Sequence, residues 1–151
     1  MAEFLELFEN NIDFLQKEIE CFFKENIEDG NFFHPHDLTW ESLKNIILTK
    51  SKDSYVIMIV DAHIAGYGLL RGWDEGYEIP SLGIMISKDY RGKGLASAMM
   101  EELHRIARQK NSKKVRLTVL KENLTAISLY KKLGYKLEDL NKQNLIGFKN
   151  L

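Results

Sequence analysis

The chain has 151 residues, 44% hydrophobic and 28% charged, with 21 Lys and Arg against 22 Asp and Glu. That apolar share near zero net charge excludes wholesale disorder, and a formal charge of −1 argues against a broad basic face for duplex DNA. A single cysteine, Cys21, excludes an intrachain disulfide framework and a multi-cysteine zinc site.

Phe4 to Phe8 reads as a short strand. Ile12, Leu15, Ile19, Phe22 and Phe23 recur at helical spacing with polar residues between them, and Asp29-Gly30 ends that helix. Residues 31–38 read as a loop, after which Thr39 caps a helix carrying Leu43, Ile46, Ile47 and Leu48. From Tyr55 to Val60 the run is continuously apolar, as in a strand covered on both faces, and Ile64 to Leu70 is its hairpin partner. Gly72 to Gly76 is a turn, and Leu82 to Ile86 is a buried strand whose Gly83 invites a bulge or the close approach of another group.

The second half alternates. A helix beginning near Gly94 carries Leu95, Met99, Leu103, Ile106 and Ala107 on one face. His104 on it is expected to face solvent beside Glu101 and Arg108. A half-covered strand follows over Val115 to Val119. Asn123 caps a helix that Gly134 stops, and Tyr135 to Leu137 and Leu145 to Phe148 close the chain as strands. The expectation is one mixed α/β domain over residues 1–151. No run approaches the ~18 apolar residues of a spanning helix. Met1 to Glu6 lacks the basic and apolar regions of a secretory signal, so a cytoplasmic protein without membrane or nucleic-acid partners is expected.

The most informative stretch joins the Leu82–Ile86 strand to the next helix: Ser87-Lys88-Asp89-Tyr90-Arg91-Gly92-Lys93-Gly94-Leu95-Ala96. Gly92 and Gly94 remove side chains, so backbone N–H groups can converge on one anion, and the helix dipole favours a phosphate at the same point. Arg91 and Lys93 add cations for further phosphate oxygens. A P-loop would need Ser or Thr after Gly-Lys, where Gly94 stands. A dinucleotide fingerprint would need a third small residue and an acidic ribose partner, and Gly92-Lys93-Gly94 supplies only its first half.

Arg91-x-x-Gly94-x-Ala96 resembles the acetyl-CoA pyrophosphate motif of the GNAT acetyltransferase superfamily. Asn123-Leu124-Thr125-Ala126-Ile127-Ser128-Leu129-Tyr130, ending at Gly134-Tyr135, resembles its second conserved element. The two stand in the right order, separated by one helix and one strand, and the likeness is densest over residues 82–137. It implies a central mixed sheet of six to seven strands, splayed near Leu82 to Ile86, with helices on both faces.

The same resemblance implies acetyl transfer from acetyl-CoA to an amine by direct attack, with no metal. Amides from Arg91 through Ala96 and Ser97, with Leu95 between, would bind the pyrophosphate. The Ile84-Met85-Ile86 strand would pair with the pantetheine, with the Met85 N–H polarising the thioester carbonyl. Tyr130 would protonate the leaving thiolate, and Asn123 would cap its helix and touch coenzyme A.

Pro80-Ser81 occupies the place where many relatives carry a basic glutamate. Glu78 is then the expected base, with Ser81 as a relay. Trp73, Asp74 and Glu75 form a locally acidic, aromatic segment suited to an ammonium acceptor, and His34 and His36 are expected to line the acceptor pocket. A small amine such as an amino sugar or polyamine is the expected acceptor. A protein lysine or N-terminus is the alternative, and a non-catalytic acyl-CoA-binding module is an alternative of another class. A homodimer is left open.

Overall fold

A computed structural model of the chain describes residues 1–27 and 35–151. Strands β1 (Ala2–Glu6), β2 (Ser54–Val60), β3 (His63–Arg71), β4 (Ser81–Ile86), β5 (Lys114–Leu120), β6 (Lys136–Asp139) and β7 (Asn144–Asn150) form one sheet. Its order is β1-β2-β3-β4-β5-β7-β6. Every neighbouring pair is antiparallel except β4 and β5.

Helices cover both faces. On one side α1 (Glu9–Ile12), α2 (Gln16–Glu25) and α3 (Trp40–Thr49) bury Ile12, Ile19, Phe22, Phe23, Leu43 and Ile47 against Tyr55, Ile57, Tyr67, Leu69 and Met85. On the other, α4 (Leu95–Gln109) and α5 (Leu124–Lys132) pack Met99, Met100, Leu103 and Tyr130 against Val56, Met58, Leu70, Leu82, Val115 and Leu117. Val56 and Ile57 thus serve opposite cores, which is why the sequence there is apolar without alternation. Met99, Met100 and Leu103 are fully buried, each contributing on the order of 2 kcal/mol.

Thr39 caps α3 as its sequence indicates, its hydroxyl accepting from the Ser42 amide at 3.2 Å. Gly68 earns its place by proximity: a Cβ there would come within 2.8 Å of Met99 Sδ, so its absence lets α4 settle on β3. The expected bulge at Gly83 is absent. Gly83 pairs in unbroken register with Leu69, and the irregularity lies between Met58 and Ile59 instead. The Asp29-Gly30 helix stop and His34 fall outside the described residues. Among the described residues no helix is long and apolar enough to cross a membrane.

The pairing that matters most is the weakest. The parallel register of β4 with β5 is limited to Ser81 opposite Arg116, with the Arg116 amide donating to the Pro80 carbonyl at 3.0 Å. Beyond that rung the strands diverge, and the gap between them is a cleft.

Candidate active site

The cleft has a volume of about 670 Å³. One wall is the β4 run from Leu82 to Ile86 and the other is Thr118 and Val119 of β5. Tyr90, Arg91, Gly92, Gly94, Leu95, Ala96 and Ser97 close one end, while Asn123, Ala126, Leu129 and Tyr130 of the α5 region form a third side. It narrows to the Ser81–Arg116 rung.

Backbone polarity is concentrated along this cleft. Gly92 and Gly94 hold φ of +75° and +76°, and neither would meet an atom within 4 Å if it carried a Cβ. Gly94 is the N-cap of α4 and brings no side-chain cap. The amides of Gly92, Lys93, Gly94, Leu95, Ala96 and Ser97 therefore take no hydrogen-bond partner among the described residues. Unspent N–H groups at a helix N-terminus, with open space above two glycines, fit a diphosphate.

Beyond the Ser81–Arg116 rung the β4 edge takes no partner from β5, and the Ile86 carbonyl accepts from Arg91 Nε. The Ser87 amide donates to Ala65 on β3, while the Pro80 carbonyl faces β5. Since successive residues alternate direction, Leu82, Ile84 and Ile86 turn their peptide groups toward the cleft and Gly83 and Met85 turn theirs toward β3. The expectation for the Met85 N–H is corrected accordingly: the strand's parity directs it into the sheet, and the N–H exposed to the cleft at mid-strand is that of Ile84.

Tyr130 is 8% exposed and lines the cleft, and burial pushes its phenol up to about 12, so it stays protonated at neutral pH. Its ring lies 5.8 Å from that of Tyr135 at 57°. The Tyr135 hydroxyl in turn lies 2.7 Å from His104 Nε2. His104 is wholly buried, which overturns the solvent-facing expectation: it follows Met100 by four residues and precedes Ala107 by three, on the same inward face. Asn123 caps α5 as expected, its Oδ1 accepting from the Ala126 amide at 3.3 Å, and it borders the cleft.

Other expected site residues are placed differently. Lys93 does not line the cleft; its ammonium sits 5.5 Å from the Tyr90 ring centroid. Arg91 lines it and donates from Nε to the Ile86 carbonyl at 3.2 Å. Asp74 is withdrawn from acceptor binding, because its carboxylate accepts the amides of Ser51, Lys52 and Asp53. Desolvation raises its pKa, but those three bonds and the Lys50 charge outweigh it and hold the group below its ordinary value.

Trp73 packs against the α4-side core beneath Lys110, 5.1 Å from the ring centroid, so it covers the core and is not presented to the cleft. Glu75 and Glu78 are exposed and outside the cleft lining. Ser81 Oγ accepts from Arg116 Nε at 2.9 Å, which occupies the expected relay. His36 lies away from the cleft, with Nδ1 2.6 Å from the Asp37 carbonyl and Nε2 2.7 Å from the Tyr67 hydroxyl.

The sequence profile of the Acetyltransferase (GNAT) family matches residues 12–135. The chain belongs to that family, whose acyl donor is acetyl-CoA. An acetyltransferase of Sodalis glossinidius is 28% identical over 92 residues, 61% of this chain and 63% of that protein, so the match spans less than two thirds of the relative.

Among solved structures, PaiA N-acetyltransferase of Thermoplasma acidophilum in complex with coenzyme A aligns over 100% of this chain and 99% of its own, with TM-score 0.74 and 18% identity. Ribosomal-protein-S5-alanine acetyltransferase of Vibrio fischeri aligns over 99% and 92%, with TM-score 0.78 and 14% identity. At those identities the likeness is one of fold: the GNAT sheet with its splayed strands and two helical layers.

Replacing Gly94 with alanine tests the loop. A Cβ at φ +76° costs about 1 kcal/mol of folding stability and enters the space above the amides. Acetyl-CoA affinity, measured by calorimetry, is expected to fall roughly tenfold, about 1.4 kcal/mol. Unchanged affinity would move the diphosphate elsewhere.

Proposed function

We propose that this protein is an N-acetyltransferase that holds acetyl-CoA in the β4–β5 cleft and passes its acetyl group to an amine entering from the Ser81–Arg116 end. The observation that carries this reading is the splayed pair of strands, with unspent amides at Gly92 to Ser97 at one end and Tyr130 on the wall. When bound, acetyl-CoA supplies an acyl group activated as a thioester, which an amine can attack directly as the thiolate leaves.

The chain's own groups have separable tasks. The 92–97 amides and the α4 dipole neutralise the diphosphate. The Ile84 peptide group and the Ile86 N–H offer the extended arm sheet partners, and the Ile84 N–H would face the carbonyl oxygen on which negative charge grows. The Tyr130 O–H delivers a proton to the departing sulfur. The surplus proton of the acceptor leaves through water at the Ser81–Arg116 end, where Glu78 is the nearest carboxylate along the chain. Glu122, the one carboxylate of the cleft lining among the described residues, follows β5 at the opposite end, beside the 90–97 loop.

The test is release of free thiol from acetyl-CoA across a panel of small amines and peptide N-termini. Turnover with any of them supports the reading. Tight calorimetric binding of acetyl-CoA without turnover would replace it with an acyl-CoA-binding module.

A further inference from the structure

The Ser81–Arg116 end of the cleft carries two arginines beside the acidic 74–78 stretch. Arg71 of β3 pairs with Ser81 of β4, and Ser81 pairs with Arg116 of β5. Residues directly opposite one another share a face, so the two arginines flank Ser81 on the same side, about 10 Å apart across two strand spacings. This is the face of Tyr67, Leu69 and Met85.

Both guanidinium groups are fixed. Arg116 Nε donates to Ser81 Oγ at 2.9 Å and its guanidinium lies 5.7 Å from the Tyr77 ring centroid, while Arg71 donates to the Pro35 carbonyl. Neither forms an ion pair with a carboxylate among the described residues. Asp74 is committed to the 51–53 amides.

The same face continues with positive charge. Lys114 precedes Arg116 by two residues and sits 5.8 Å from the Phe148 ring centroid, and Lys136 pairs with Phe148. Carboxylates flank the row as well: Glu138 lies one row further along β6, and Asp53, Asp74 and Glu75 lie near Tyr55, whose phenol also feels Arg71. Two partly buried, half-satisfied guanidiniums in a row leave forked N–H donors that match a carboxylate's two oxygens.

We infer that the Arg71–Ser81–Arg116 row is an acceptor subsite and that the acceptor is an amine bearing a carboxylate, which the two arginines hold while its amino group faces into the cleft. This rests on the transferase reading. The diphosphate loop lies at the far end of β4, five residues or about 16 Å away, so an arm running down that edge brings its thioester to this end. A polyamine would place a second ammonium against Arg116 and Lys114, where like charge repels it.

The experiment uses the full chain, acetyl-CoA, and two series of matched acceptors: linear ω-amino carboxylates and diamines of equal carbon number. The best carboxylate is expected to exceed the best diamine by about tenfold or more in kcat/KM. Arg116→Gln should raise KM for that carboxylate by roughly ten- to hundredfold with a much smaller change in kcat, Arg116→Lys should fall between, and Arg71→Gln should act in the same direction from a different strand. Calorimetric binding of acetyl-CoA verifies that each variant is folded.

Diamines matching or exceeding the carboxylates, or a KM unmoved in both glutamine variants, would overturn the subsite while leaving the transferase intact. Absence of turnover with every amine, alongside acetyl-CoA binding, would overturn the transferase reading and this inference with it.

Discussion

Tyr130→Phe is expected to lower kcat about a hundredfold while leaving acetyl-CoA affinity within about twofold. The substitution is informative because it removes one oxygen and little else. The phenyl ring keeps its place in the core and its contact with Tyr135. Burial alone, with no hydrogen bond, sets the Tyr130 phenol's environment, so removing the hydroxyl orphans no buried group. Thiol release under saturating acetyl-CoA measures the loss, and calorimetry measures affinity. A kcat that does not move would reduce Tyr130 to an aromatic wall.

The second large effect is acid lability centred on His104. Burial pushes its imidazole down to about 4; Glu101 opposes that shift and Lys149 and Arg108 reinforce it. An unfolded chain has the ordinary value near ~6.5. The neutral ring is therefore the folded form, its contribution is complete above the unfolded value, and it is lost as pH falls from there toward 4. Over that interval the loss is about 3 kcal/mol.

Neutral Nδ1 has no hydrogen-bond partner among the described residues, with the Glu101 carboxylate 3.9 Å away, too long for a bond. Denaturant midpoints followed between about pH 7 and pH 4 should fall more steeply for the native chain than for His104→Gln, which carries no titrating ring. Equal slopes would show that other groups govern the acid limb.

What the sequence made legible follows from chain-local physics. The glycine loop, the α4 and α5 starts and the β2 run were readable because each depends on residues within a few positions of one another. The Thr39 and Asn123 caps are local in the same way, each reaching an amide three residues on. Met85 illustrates the limit. Which of two adjacent residues turns its N–H outward depends on register against β3, which no pattern within Leu82 to Ile86 encodes.

Asp74 and Trp73 show a second limit, because an acidic aromatic turn looks the same whether it faces a ligand or latches the 51–53 loop. His104 was missed because a histidine beside Glu101 suggests a wet surface, although its spacing from Met100 and Ala107 pointed inward. The arginine row was illegible for the same reason as Met85: Arg71, Ser81 and Arg116 are scattered along the chain and meet only through strand pairing.

The lone rung between Ser81 and Arg116 has a mechanical consequence. It divides the sheet into two panels, β1–β4 and β5–β7–β6, stitched at one end and unzipped along the rest of the seam. A guest lying in that seam would act as a provisional eighth strand, lending each edge the partners it lacks. Departure of the spent guest would hand those edges back to water, so loading and release would alternately stiffen and slacken the middle of the molecule.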